Sequence, residues 1–171
     1  MTRRAMMLMM TVCLVAFSSG YALSADEHEE RQALIKSIGN AKITLQQGLT
    51  AAEQQGQPIS GKFEIEDGKL QLSLYTAKDG KFSEVVVDFV TGKVAKTEPI
   101  TEGDDLTAAK AQSAAMAKAK TSLKAAVDKA LSQSAAFRAI EVTPELKGGH
   151  AVASVILQKD QEFKTVPQSL E

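Results

Sequence analysis

The sequence predicts an α+β protein: a tandem repeat of one helix packed on a three- to four-stranded antiparallel sheet. Hydrophobic residues first recur at helical spacing and then alternate strictly with polar ones, the pattern of a helix followed by strands. Short turn signals of the Asp-Gly type separate the alternating segments, as in consecutive hairpins. The same order of patterns returns in the second half of the 171 residues, which indicates an internal repeat.

The first 25 residues have the pattern of a secretory signal peptide. Arg3 and Arg4 precede an apolar run over residues 5–17, and small residues lead up to Ala25. This run is too short to span a bilayer as a helix, which takes about 20 apolar residues. We therefore expect cleavage before Asp26 or before Leu23, and we expect the mature protein to be periplasmic or secreted without a membrane span.

The composition of the mature part excludes several classes of function. It holds all 21 acidic residues and 18 of the 20 basic ones, whereas the single cysteine, Cys13, lies in the signal peptide. Without a thiol, the mature chain cannot be a disulfide scaffold, a thiol enzyme, a c-type haem carrier or a cysteine-ligated metal protein. The slight acidic excess argues against a nucleic-acid partner, because such a partner calls for a basic surface.

Residues 26–41 are predicted to form an acidic N-terminal segment and a short helix. The helical pattern covers residues 31–38 and ends at Gly39-Asn40, since both residues tolerate positive φ. One imidazole with several carboxylates offers weak coordination of a divalent cation rather than a defined metal site. The acidic segment consists of Asp26, Glu27, His28, Glu29 and Glu30.

The first repeat unit is predicted over residues 42–99. Thr44 and Gln47 have the spacing of a capping box at the start of a helix. Alternating patterns over residues 63–66, 70–75 and 82–90 predict three strands, and residues 93–95 predict a short fourth. The helix stripe consists of Leu45, Leu49 and Ala52, and the turns are Asp67-Gly68, Asp79-Gly80 and Thr91-Gly92.

Residues 100–171 are predicted to hold one long helix and a second, shortened unit. Asp104 or Asp105 is expected to cap the helix, which runs from Leu106 to about Ser134. Its lysines are interpreted as a solvated face, because the net charge of the chain is only −1. Its apolar stripe consists of Met116, Ala119, Leu123, Val127, Ala130 and Leu131.

Matching positions recur at a nearly constant separation in the two halves. The helix stripes are 78 residues apart, and the middle strands are 81 residues apart. The second copy ends before any counterpart of Thr91-Gly92, so it is shortened by one strand. We expect the two copies to pack together, or another chain to cover the unpaired edge. The matches are Leu45 with Leu123, Leu49 with Val127, Ala52 with Ala130, Ser73 with Ser154 and Phe82 with Phe163.

The end of the third strand resembles the PepSY family. Residues 87–94, Val-Asp-Phe-Val-Thr-Gly-Lys-Val, match the family pattern V-D-x-x-T-G-x-V. The helix with Ala51-Ala52 and the aromatic-bearing strand over residues 72–75 also fit, whereas the second copy lacks the D-x-x-T-G ending and is degenerate. The resemblance implies small, non-catalytic extracytoplasmic domains of one helix and an antiparallel sheet. Some members of the family are proposed to restrain peptidases.

No residue pattern points to catalysis. His150 has no neighbouring His or Cys partner, and the chain has no G-x-S-x-G segment to accompany it. Asp88 is interpreted as a turn residue that bonds the backbone near Thr91. None of the glycine turns opens a helix, as a phosphate-binding loop would. We therefore predict that the protein is not an enzyme and has no cofactor-binding or metal-binding residues.

The predicted partner-binding residues lie on the second strand. Three leucines of this strand should pack on the helix, so the alternate side chains point to the other face: Gln71, Ser73 and Tyr75. Tyr75 is the only tyrosine of the mature chain, and its amphipathic ring suits a protein contact. The alternative is that this face packs against the second copy or is solvated. The leading hypothesis is a non-catalytic binding protein that contacts another exported protein, such as a peptidase. The alternative is an envelope ligand- or cation-binding protein that uses the acidic N-terminal segment.

Overall fold

Helices and strands follow one another in two series along the chain. The computed structural model describes residues 25–171, so the signal-peptide prediction lies outside the described residues. The first series is α1 (Ala25–Ser37), a 3₁₀ turn (Ile38–Asn40), α2 (Leu45–Ala52), β1 (Gln57–Glu66), β2 (Lys69–Lys78), β3 (Lys81–Val87) and β4 (Val94–Ile100). The second is α3 (Gly103–Met116), α4 (Leu123–Ser132), β5 (Arg138–Lys147), β6 (His150–Lys159) and β7 (Glu162–Ser169).

All seven strands belong to one antiparallel sheet, in the order β4-β3-β2-β1-β5-β6-β7. The α+β class is therefore confirmed, but the predicted sheets of three to four strands are parts of a single larger sheet. The two series meet where β1 pairs with β5, through Gly61 with Val142 and Lys62 with Glu141. We call this junction the seam. The edges of the sheet are β4 and β7, which carry Pro99 and Pro167, and proline blunts an edge because it donates no backbone hydrogen bond.

Helices α2 and α4 pack on the same face of the sheet. Gln46 Nε2 of α2 donates to Asp128 Oδ1 of α4 at 3.1 Å. A Cβ on Gly61 would lie 3.5 Å from side-chain atoms of both Leu45 and Leu49, so α2 approaches β1 very closely there. Leu72 and Leu74 of β2 are fully buried on this face, as their alternation predicts.

Helix α3 lies against the opposite face. Ser60 is the neighbour of Gly61 on β1, so its side chain points away from α2. Its hydroxyl donates to Gln112 Oε1 of α3 at 2.8 Å, and this bond is buried. Just after α3, Lys118 Nζ donates to the carbonyl of Gly149 in the β5–β6 turn at 3.0 Å. The sheet therefore has helices on both faces.

The prediction of one long helix from Leu106 to Ser134 is wrong, because the chain leaves the helix after Met116. The amides of Lys120 and Thr121 donate instead to the carbonyl of Leu170, at 2.6 and 2.9 Å. Ser122 then caps α4 by accepting from the amide of Ala125 at 3.2 Å. The break lets α3 and α4 pack on opposite faces, which a continuous helix could not do.

The local signals at the other helix starts have mixed outcomes. The capping box of α2 is confirmed, since Gln47 donates its amide to Thr44 Oγ1 and accepts from the amide of Thr44. The predicted cap of α3 by Asp104 or Asp105 is wrong. Glu102 occupies the capping position without a side-chain bond, and both aspartates lie in the first turn. Their charges still favour the helix start, where the free amides carry partial positive charge.

Candidate functional site

The predicted partner-binding residues lie on the sheet face opposite α2. Gln71 Nε2 donates to Ser73 Oγ at 2.8 Å and to Glu84 Oε1 of β3 at 3.3 Å. The side chain of Ser73 is fully buried, whereas Gln71 and Tyr75 are partly buried. Ser73 therefore supports its neighbours, and only Gln71 and Tyr75 keep surface that another protein could touch. Their role in binding stays a prediction.

Tyr75 lies beside α3. It pairs across the strands with Ser60, whose hydroxyl is bonded to α3. Burial raises the pKa of the Tyr75 hydroxyl, and the nearby carboxylates of Glu64, Glu84 and Asp105 raise it further. The hydroxyl consequently stays protonated at all physiological pH values and can act as a hydrogen-bond donor.

A charged cluster surrounds Lys62 on the same face, at the seam. Lys62 Nζ lies 2.6 Å from Glu64 Oε2, and these side chains are 24% and 15% exposed. Lys62 also lies opposite Ser73 on one side and Glu141 on the other. Three carboxylates, those of Glu64, Glu84 and Glu141, thus share one nearby cation. We call the face that carries this cluster with Gln71, Ser73 and Tyr75 the polar face.

Burial and charge act against each other in this cluster. Burial lowers the pKa of Lys62, but the carboxylates of Glu64, Glu141 and Glu84 outweigh that effect and raise it, so the ammonium stays charged. Burial raises the pKa of Glu84 despite its bond to Ser73, and it raises the pKa of Glu141 despite the bond from Thr143. The polar face therefore holds two carboxylates that are poorly solvated and incompletely neutralised.

The sequence reasoning missed this charged cluster. Lys62 and Glu64 alternate with Phe63, so their place on the face of Gln71 and Tyr75 could have been read from the strand pattern. Glu141 lies 79 positions after Lys62, and nothing in the sequence indicates that their strands pair. The cluster depends on the seam, which is a tertiary feature.

Asp88 holds a turn, as the sequence predicts. Its carboxylate accepts from the amides of Val90 and Thr91, at 3.0 and 2.6 Å, and from Thr91 Oγ1 at 2.9 Å. These bonds, the backbone bond of Thr91 foremost, lower the pKa of Asp88. Residues 88–91 thus build a turn that is held by the Asp88 carboxylate.

The two histidines lie far apart in the chain and in different surroundings. His150 Nδ1 is 2.9 Å from Glu171 Oε2, an exposed pair at the start of β6. The hydrogen bond to His150 is the main cause that lowers the pKa of Glu171. His28 belongs to α1, which includes the whole acidic segment of residues 26–30, so the prediction that the helix begins only at residue 31 is wrong. Among residues 25–171, no group of three or more His, Cys, Asp or Glu side chains could hold a metal ion.

Helix α1 contacts β1 and β2 and is tied to the second half of the chain. The Arg31 guanidinium lies 4.7 Å from the centre of the Phe163 ring of β7. Arg138 of β5 donates to the carbonyl of Ile38, just after α1. Within the described part of the chain, no helix has the length and apolarity needed to cross a membrane.

No family model, curated protein or solved structure matches the chain. The resemblance to the PepSY family therefore depends on residues 42–99, and above all on residues 87–94. It stays a prediction.

Proposed function

We propose that this protein is a non-catalytic, exported binding protein that contacts another exported protein through its polar face. The observation that carries the proposal is the charged cluster of Lys62, Glu64, Glu84 and Glu141 at the centre of a sheet. A buried salt bridge adds little to stability compared with apolar packing, because both charges lose their hydration. The presence of three carboxylates around one lysine is better explained by a role in binding a partner than by a contribution to the stability of the fold.

Tyr75 adds the second argument for this surface. Tyrosine is enriched at the centres of protein interfaces, since its ring buries apolar area and its hydroxyl keeps a hydrogen bond. Tyr75 lies one row of the sheet away from Lys62, and its hydroxyl remains a donor. The excess of carboxylates near it favours a partner surface that offers hydrogen-bond donors or basic groups.

The compartment and the family are part of the same proposal. The signal-peptide pattern in residues 1–25 supports a periplasmic or secreted protein. In both halves, helices come first (α1 and α2, then α3 and α4) and consecutive antiparallel strands follow directly after a helix that packs on the same sheet face, which supports two PepSY-like copies in tandem, the second one degenerate. If the resemblance extends to activity, the partner is a peptidase and binding restrains it. The acidic segment gains no support as a cation site from the geometry of the described residues.

The test is affinity for a partner captured by crosslinking in the envelope fraction, measured with purified proteins. Tyr75→Ala should weaken binding by roughly 2 kcal/mol or more, the loss typical of an interface anchor. Because Tyr75 also packs against the core, Tyr75→Phe is needed as a second variant. It keeps the ring and removes only the hydroxyl, so it should weaken binding while the melting temperature barely changes.

Thr97→Ala, on the exposed edge strand β4, is the matched control and should leave affinity unchanged. Equal affinities for wild type, Tyr75→Ala and Tyr75→Phe, each measured below its melting temperature, would contradict the polar face as the binding surface. Hydrolase turnover by the purified protein, abolished by His150→Ala, would contradict the non-catalytic function itself. Addition of the protein to a captured peptidase should lower its turnover if binding restrains it.

A further inference from the structure

A groove of about 430 Å³ lies where α2 ends and α4 begins. Its lining includes three core residues, Leu49, Met116 and Leu123, which are 1%, 6% and 3% exposed. Pro58 and Ala119 add further apolar surface. The volume falls within the range of small-molecule pockets, and the apolar floor suits one hydrophobic side chain. None of the residues of the polar face lines this groove.

The charged side chains that line the groove include two lysines and one glutamate. Lys120 and Lys124 come from the α3–α4 connection and the start of α4, and Glu53 follows the end of α2. Lys124 Nζ is also bonded to Asp128 Oδ2 at 3.0 Å. Lys120 makes no ion pair with any residue of the described range 25–171. Its charge acts at a distance on the carboxylate of Glu171, but no direct ion pair within that range occupies its ammonium.

The start of α4 adds hydrogen-bond donors to the same end of the groove. Ser122 Oγ takes the amide of Ala125, which leaves the amides of Leu123 and Lys124 in the first turn without an acceptor inside the helix. These donors carry the partial positive charge of the helix terminus. The groove thus combines an apolar floor, two backbone donors and an ammonium without a direct ion pair among the described residues.

We propose that this groove binds the carboxy-terminal residue of a peptide whose last side chain is apolar. The terminal carboxylate would lie near Lys120 and the start of α4, and the side chain would lie on Leu49, Met116 and Leu123. Glu53 can accept from the backbone N–H groups that precede the carboxylate in a peptide. This site is separate from the polar face and does not depend on the proposed function.

The test is calorimetric titration of the full mature protein with acetyl-Ala-Ala-Leu that has a free carboxylate. The matched ligand is the same peptide as its carboxamide, which lacks the charge and keeps the side chain. The free acid should bind at least about tenfold more tightly than the carboxamide, because charge-assisted hydrogen bonds are the strong ones. Equal affinities, or no heat with the free acid, would overturn the proposal.

Variants locate the site. Lys120→Gln should weaken the free acid about tenfold, whereas Lys129→Gln, an exposed lysine of α4 outside the groove, should not. Ala119→Phe should fill the groove and block binding of both peptides. If Ala119→Phe does not fold, the comparison of Lys120→Gln with Lys129→Gln still tests the site. Equal losses of affinity in these two variants would overturn it. Free leucine binding as tightly as the peptide would overturn the choice of a peptide terminus.

Discussion

Replacing Gly61 with alanine tests how tightly the core side chains are packed at the seam. An alanine Cβ at this position would overlap Leu74 Cδ1 and lie 3.5 Å from Leu45 Cδ1 and Leu49 Cδ2. All three leucines are at most 1% exposed, so Leu74 can move only against the packed side chains around it. The added methyl group must therefore displace the Leu74 side chain of β2, whereas its contacts with Leu45 and Leu49 of α2 stay at ordinary van der Waals distance.

The net cost follows from two opposing contributions. Overpacking of a filled core typically costs about 1–3 kcal/mol. Alanine in place of glycine in a strand returns about 0.5–1 kcal/mol, because it restricts the unfolded chain. We expect Gly61→Ala to lower the free energy of unfolding by about 0.5–2 kcal/mol. For a chain of this size the melting temperature should fall by roughly 1–8 °C.

Thermal and urea denaturation followed by circular dichroism measure both quantities. Gly39→Ala is the matched control, since a Cβ there has no atom within 4 Å and its φ is not positive. In the Gly61→Ala background, Leu74→Val should cost less than it does in the wild type, because it removes the overlapping methyl group. Equal stability of Gly61→Ala and Gly39→Ala, or strictly additive effects in the double variant, would refute the overlap with Leu74.

Two further predictions concern the helix break and the charged cluster. Ser122→Ala should lower the free energy of unfolding by about 1 kcal/mol, because the amide of Ala125 loses its cap, and an unchanged urea midpoint would count against this cap. Burial raises the pKa of Glu84 and Glu141 above the ordinary value of a glutamate, so the folded protein binds these protons more tightly than the unfolded chain. Their destabilising effect is fully present at neutral pH and is relieved as pH falls through the raised pKa values towards the ordinary one. The melting temperature of the wild type should accordingly rise relative to that of Glu141→Gln between pH 7 and pH 5, and parallel pH curves for the two proteins would contradict the raised pKa of Glu141.

Local signals in the sequence were enough to predict those features that depend on neighbouring residues. The capping box at Thr44, the Asp-Gly turns and the turn at Asp88 follow from side-chain and backbone bonds within four residues. The strand alternation correctly placed Leu72 and Leu74 in the core, because successive side chains point to opposite faces. The α+β class follows from these local patterns together.

Only the part of the candidate site that depends on neighbouring residues could be predicted from the sequence. Alternation placed Gln71, Ser73 and Tyr75 on the polar face, but it could not indicate that Ser73 is fully buried there. That burial depends on the neighbouring strands and their long polar side chains. Glu141 joined the site only because β5 pairs with β1, and strand pairing between distant segments has no local signal.

The sequence by itself determined the helix and strand types, the turns and the faces that enter the core, since each is fixed by short-range geometry. Tertiary structure decided that the strands form one sheet of seven, joined at the seam. It also decided that the predicted long helix ends at Met116. After this residue, the amides of Lys120 and Thr121 donate to the carbonyl of Leu170 instead of to carbonyls of the helix. Both outcomes depend on backbone groups that meet across many residues of chain. Backbone groups are the same in every residue, so the residue pattern alone does not encode their partners.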